Sequence, residues 1–184
     1  MRSADDTKPG EWEQYIQVDY DTRTVFFDGS FTIKSSNKLK SIFDKFNSSE
    51  EEVTLHMDSD GGDLRAVFSL IQFLESRKFR LTVKVTGCCF SAAPLILMCA
   101  DKRIAHKDTM FMLHEGNILG SFSTRNELDT FVVYNTIMTK QLFDYLDKKT
   151  SSFSGCWHGR LTNREDYYFD AIEAKMGGFI DEIS

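Results

Sequence analysis

Apolar positions along the chain switch between a two-residue and a three-to-four-residue rhythm, and each switch marks the border of an element. Tyr15 to Val18 and Thr24 to Phe27 read as short strands, and Asp28-Gly29 is a turn pair that breaks the second. Leu39, Ile42, Phe43 and Phe46 then recur at three- and four-residue steps, which predicts a helix with Ser35 and Ser36 as candidate caps. Val53 to Met57 predicts the next strand, ended by Asp60-Gly61-Gly62 ahead of the helical series Leu64, Val67, Phe68, Ile71, Leu74. The same unit recurs: Arg80 to Val85 is β-rich, Gly87 breaks it, and Ser91 to Cys99 is a short, small-residue-rich helix. Ile104 and Phe111 to Leu113 predict strands, and Thr124 with Glu127 three residues on forms a capping-box pattern. It opens a long helix to Asp147 with an apolar face of Leu128, Phe131, Val132, Met138, Leu142 and Tyr145. A last helix, Ala171 to Met176, stops at Gly177-Gly178, and Phe179 to Ile183 forms a closing strand. Strands alternating with helices predict an α/β fold with a largely parallel sheet.

Composition narrows this picture. The 184 residues, 41% hydrophobic and 27% charged, suit one globular domain, expected over 15–184 behind a polar N-terminal arm at 1–14. Twenty-two Lys+Arg against 28 Asp+Glu leave a formal charge of -6, a field that repels phosphate, so nucleic acid is not an expected partner. The longest apolar run, Phe90 to Ala100, is far short of the ~20 residues of a membrane-spanning helix, and Met1 to Asp6 lack a signal peptide's apolar core. The expectation is a soluble, non-exported, cytoplasmic protein with no membrane partner. Cys88, Cys89, Cys99 and Cys156 contain no C-x-x-C pair, which predicts reduced and mostly buried thiols with neither a disulfide framework nor a metal site.

In a parallel sheet the ligand site forms where strands end and helices begin. Gly61-Gly62 is one such turn, either an ordinary strand-to-helix connection or a place where bare backbone N–H groups meet an oxyanion. Gly87-Cys88-Cys89-Phe90-Ser91 is the second, and Ser91 there is either a helix cap or a nucleophile presented at a helix start. A nucleophilic serine needs a base, and His114, directly after Phe111-Met112-Leu113, sits at a strand end where a side chain faces a cleft. His56 lies inside a strand, His106 in a Lys/Asp-rich turn and His158 in a loop, all poorer candidates. Glu165 and Asp166, ahead of the final helix, supply a carboxylate to hold the imidazole, or serve only as helix-start charges.

The chain resembles the ClpP family of serine peptidases, within the broader ClpP/crotonase fold. Met57-Asp58-Ser59-Asp60-Gly61-Gly62 is similar to its Asn-Ser-Pro-Gly-Gly segment, and Gly87-Cys88-Cys89-Phe90-Ser91-Ala92-Ala93 to its Gly-x-Ala-Ala-Ser-Met/Ala-Gly nucleophile turn. Met112-Leu113-His114-Glu115 resembles its Met-Ile-His-Gln, and Glu165 to Ala171 its Arg-Asp-x-Phe-x-Ser-Ala segment. Glu173-Ala174 through Gly178-Phe179-Ile180-Asp181 matches its ending. The motifs run in family order from about Val25 to the C-terminus.

The resemblance implies repeated ββα units, a mostly parallel sheet and a protruding handle helix. It implies Ser91 as nucleophile, His114 as base and then acid, Asp166 as orienting carboxylate, and the N–H groups of Gly62 and Ala92 as the oxyanion hole. Gly61 and the handle segment Leu119-Gly120-Ser121-Phe122 are the implied substrate-binding positions. Asp60 replaces the family's proline, so its charge has to point to solvent or pair with Arg65. The implied activity is a serine endopeptidase acting on polypeptides through an acyl-enzyme, without cofactor. The implied assembly is a homo-oligomeric ring, a heptamer stacked as a tetradecamer. Lacking any G-x-x-x-x-G-K-S/T loop, the chain would draw on a separate ATP-dependent unfoldase. The rival readings are a viral or phage ClpP-like peptidase acting without an unfoldase, a non-catalytic structural subunit of a mixed ring, and a crotonase-type acyl-CoA enzyme. The long helix adds its own hint: Val133, Tyr134, Ile137 and Phe143 spread off its apolar stripe, and a helix apolar on several faces needs burial on several faces.

Overall fold

The computed structural model describes residues 15–114, 123–150 and 166–184; the expected arm at 1–14, the implied Leu119 to Phe122 segment, Glu165, Cys156 and His158 lie outside them. Strands β1 (Tyr15–Asp19) and β2 (Thr24–Asp28) form an antiparallel hairpin. Helix α1 (Ile33–Phe46), β3 (Val53–Ser59), α2 (Leu64–Glu75), β4 (Leu81–Phe90), α3 (Ala93–Leu97), β5 (Lys102–Ala105) and β6 (Met110–Leu113) follow. The long α4 (Arg125–Lys149) precedes β7 (Tyr167–Asp170), α5 (Ala171–Met176) and β8 (Glu182–Ile183). The eight strands make one sheet in the order β1-β2-β3-β4-β5-β8, with β6 and β7 branching from β4. Among the described residues only the β1–β2 and β6–β7 pairings are antiparallel. The architecture is the expected mostly parallel α/β sheet with a projecting helix.

Period-two burial decides which sheet face holds the core. Val53, Leu55, Met57 and Ser59 of β3 are buried while Thr54, His56 and Asp58 between them are half-exposed. The inward residues of β2, β3 and β4 pack on Leu39, Phe43 and Phe46 of α1 and Val67, Leu70 and Leu74 of α2, in one continuous apolar cluster. Burying a leucine or phenylalanine stabilises by roughly 1.5–3 kcal/mol each, so this layer dominates the folding energy.

The structure departs from the sequence reading at several places, among them the closing strand, which is only Glu182–Ile183. Helix α1 is capped by Thr32, one turn ahead of the expected serines; Ser35 is instead the third residue of the capping box, its hydroxyl accepting from the Thr32 N–H at 2.8 Å. Strand β4 runs through Gly87 to Phe90 instead of breaking there. The helix expected from Ser91 to Cys99 is five residues long, because the N–H groups of Cys99 and Ala100 reach back only three residues, to Ile96 and Leu97. Tyr167 to Asp170 form β7, so Asp166 leads into a strand instead of starting a helix.

The expected capping box of α4 is present, with Thr124 Oγ1 accepting from the Glu127 N–H at 3.2 Å and Glu127 Oε2 accepting from the Thr124 N–H at 3.2 Å. Within the chain, only Leu142, Phe143 and Leu146 of this helix are buried, while Leu128, Val132, Val133, Tyr134 and Ile137 are exposed, the apolar patch that the many-faced pattern implies for a single protomer. Among the described residues no helix is long and apolar enough to cross a membrane.

Candidate active site

Register alone brings three side chains together. β4 runs parallel to β6 with Phe90 opposite Met112, and β6 runs antiparallel to β7 with Met112 opposite Tyr168 and Leu113 opposite Tyr167. Continuing each strand by one residue puts Ser91, His114 and Asp166 beside one another just past the paired ends. The Ser91 N–H donates to the Met112 carbonyl at 2.7 Å, which locks the serine backbone to the histidine strand. Ser91 Oγ lies 2.7 Å from His114 Nε2, and His114 Nδ1 lies 3.4 Å from Asp166 Oδ1. A carboxylate facing Nδ1 suits the tautomer with its proton there, in which Nε2 can accept from a serine hydroxyl. The second contact is longer than a formed hydrogen bond, as such contacts often are before substrate binds. The His114 side chain is 19% exposed and that of Asp166 50%, so the row opens to solvent on the carboxylate side.

Ser91 has φ +58, a left-handed conformation that costs a non-glycine residue about 1–2 kcal/mol. Ser91 thus accepts backbone strain in turning its half-buried hydroxyl onto His114, and it does not cap α3, whose N-cap Ala92 has no side-chain bond. Gly61 packs directly beneath it. A Cβ on Gly61 would fall 2.6 Å from Ser91 Cβ and 2.9 Å from the Ala92 nitrogen, so only glycine fits there.

The glycine turn is stitched to the residues after β2. The Phe31 N–H donates to the Gly61 carbonyl at 2.6 Å, and the Asp63 N–H donates to the Phe31 carbonyl at 2.8 Å. Those bonds use the groups on either side of the Gly62 N–H. Among the described residues neither the Gly62 nor the Ala92 N–H has an acceptor. Two bare donors on touching loops beside a serine hydroxyl are chemically suited to a developing oxyanion.

Charges around the turn are arranged differently from expectation. Arg65 pairs with Asp63 at 3.0 Å, not with Asp60. Asp63 is the N-cap of α2; the Arg65 hydrogen bond above all, with the N–H groups of Arg65 and Ala66, holds its carboxyl below the ordinary range. Asp60 accepts from the Ser30 hydroxyl at 2.7 and 2.9 Å and is thereby held on the β2 side of the turn.

The other candidates stand elsewhere. His56 is half-buried in β3, stacked on Phe26, and burial with the nearby Lys84 charge pushes its pKa down. His106 is exposed beside Asp108. Cys88, Cys89 and Cys99 are unpaired; burial raises the Cys99 thiol to about 11.

Two residues that sequence reasoning passed over support this site. Ser59 donates to the Gly29 carbonyl at 2.7 Å and accepts from the Gly61 N–H at 3.2 Å, fixing the start of the glycine turn. Its signal was its inward place in the period-two pattern of β3, where a polar residue needs partners. Asp58 accepts from the Cys88 N–H across the strand pair, at 2.9 Å.

The Clp protease family profile matches residues 7–184 of the chain. Among solved structures, a mutant ClpP1 from Listeria monocytogenes matches with a TM-score of 0.77 at 22% sequence identity. That match covers 89% of this chain and 92% of the other, and at this identity it speaks to the fold alone.

Proposed function

The chain belongs to the Clp protease family and is a serine peptidase, and we propose that it is an endopeptidase that opens peptide bonds through an acyl-enzyme on Ser91. The 2.7 Å approach of Ser91 Oγ to His114 Nε2, with Asp166 on the far side of the ring, carries this reading. Ser91 Oγ attacks the scissile carbonyl carbon as its proton passes to His114 Nε2, and Asp166 stabilises the imidazolium so formed. The Gly62 and Ala92 N–H groups receive the carbonyl oxygen as it becomes an oxyanion; losing one such donor costs roughly 3 kcal/mol of barrier. His114 then returns the proton to the departing amine, the C–N bond breaks, and water releases the acyl group by the same steps in reverse. Gly61 and the Leu119-Gly120-Ser121-Phe122 segment are assigned to holding the substrate backbone.

In this reading the working particle is a homo-oligomeric ring of seven, stacked as two rings face to face, with α4 as the contact between them. The exposed Val133, Tyr134 and Ile137 on α4 support it, since an apolar surface of that kind is stabilised by covering at ~25 cal/mol per Å2. Polypeptides reach the chamber through a separate ATP-dependent unfoldase in the cytoplasm. Hydrolysis of an internally quenched peptide, followed alongside sedimentation, tests the whole. Cleavage by a multi-protomer particle and none by its Ser91→Ala form is expected; equal turnover by that variant, or full activity from a monomer, overturns it.

A further inference from the structure

The strand that delivers Ser91 is bent at one place, and a single carboxylate fills the bend. β3 and β4 pair in step from Val53 opposite Leu81 to Met57 opposite Val85, but the next pair is Ser59 with Cys89. β3 advances two residues there while β4 advances four, so Asp58 alone faces Thr86, Gly87 and Cys88. At this same point β4 changes its other neighbour, from β5 along Thr82 to Val85 to β6 along Cys88 to Phe90. An irregularity of this kind leaves backbone groups without ladder partners and re-aims the strand beyond it.

Asp58 supplies the missing partner. Its Oδ1 accepts from the Cys88 N–H at 2.9 Å and from the Cys88 thiol at 3.1 Å. Its Oδ2 lies so close to Gly87, at φ +75, that a Cβ there would be 2.2 Å from it. The residues that follow Asp58 are Ser59, Asp60 and the Gly61-Gly62 turn; those that follow Cys88 are Cys89, Phe90, Ser91 and Ala92. One side chain therefore spans the base of both loops that carry the bare donors.

We propose that Asp58 is a positioning residue for catalysis, holding the Gly87-Cys88 bend so that Ser91 and the Gly62 and Ala92 N–H groups keep their mutual spacing. This rests on the peptidase reading above. Asp58 touches no reacting atom; it acts through the backbone of β4, and misplacement by about 1 Å is enough to cost ~10²-fold in rate.

Two measurements test it. In steady-state peptide hydrolysis, Asp58→Ala is expected to lower kcat by ~10²-fold with KM within about twofold, while Asp58→Asn, which keeps an acceptor oxygen for the Cys88 N–H, restores most of kcat. The second reads the contact itself and does not depend on activity or on the alanine variant folding. Burial first, then the Asp58 hydrogen bond and charge, raise the Cys88 thiol to about 12. Asp58→Asn removes that charge, so alkylation of Cys88 by iodoacetamide at about pH 8.5, mapped by peptide mass, should accelerate about tenfold. A folded Asp58→Ala with wild-type kcat, a loss that asparagine does not restore, or unchanged Cys88 alkylation overturns this proposal alone. A folded wild type that cleaves no peptide overturns the peptidase reading and the proposal with it.

Discussion

The end-on edge of the sheet around Ser91, past the last paired residues of β4 and β6, and the outer part of α4 are opposite solutions to the same problem of placing side chains. At the edge, the polar side chains of the site have partners in the same chain, and among the described residues only the Gly62 and Ala92 N–H groups of the site are left bare: Ser91 is held on Met112 and His114, Ser59 on Gly29 and Gly61, Asp60 on Ser30. Along α4, only the last turns are buried, through Leu142, Phe143 and Leu146, with Tyr145 edge-on to Phe68 and 3.1 Å from Cys99 Sγ. The preceding turns expose Val133 at 59% and Ile137 at 53%. Around Ser91 the side chains are held by partners within the chain, whereas the outer turns of α4 present apolar side chains left exposed among the described residues.

The largest effect expected at the edge is that of Asp166→Asn, which should lower kcat by ~10⁴-fold without changing particle size, because the wrong imidazole tautomer cannot take the serine proton. Glu165→Gln should leave turnover near wild type. Comparable loss from both, measured as initial rates, would detach Asp166 from the site.

Next in size is a contrast within α4. Leu146→Ala empties a fully buried position and should cost 2–5 kcal/mol in urea unfolding, at the scale of other leucine truncations. Val133→Ser should stay within about 0.5 kcal/mol in the dissociated protomer. Tyr134→Asp or Ile137→Asp should shift sedimentation to smaller species while circular dichroism is unchanged. Unfolding by either aspartate variant would erase the distinction between the two regions.

Acid provides a smaller test. Burial pushes Asp101 and Asp181 upward, but Leu81 N–H and Arg77 at Asp101, and Arg103 at Asp181, outweigh it and leave both carboxyls below the ordinary range. A carboxyl lowered in the folded state stabilises above its unfolded value of about 3.9 and loses that contribution as pH falls through the folded value. Asp181→Asn should therefore flatten the decline in Tm below about pH 4. A slope identical to that of the wild type would deny the sheet body its electrostatic share.

The smallest effect concerns strain. Ser91→Gly should be more stable than Ser91→Ala by about 1 kcal/mol, because glycine adopts φ +58 without penalty. Equal Tm values would remove strain from the account.

How much of this was legible in the sequence follows the same division. Seven of the eight described strands, at least in part, the two glycine turns, the Thr124–Glu127 box and the order of Ser91, His114 and Asp166 were readable because period, turn chemistry and motif are local. The continuation of β4 through Gly87 was not, since the Asp58 carboxylate that fills its bend comes from thirty residues upstream. β7 was missed because four residues, Tyr167 to Asp170, are too short to show a period, and only their pairing with β6 makes them a strand. The apolar face of α4 was readable as a pattern, but pattern alone does not distinguish a core within the chain from one shared between chains.

The central claim, that the edge presents Ser91 as a nucleophile, is tested most directly by labelling with a fluorophosphonate and mapping the modified peptide. A single adduct on Ser91 is expected, lost in Ser91→Ala and strongly slowed in His114→Ala. An adduct on another residue, or undiminished labelling of a folded Ser91→Ala, would contradict it.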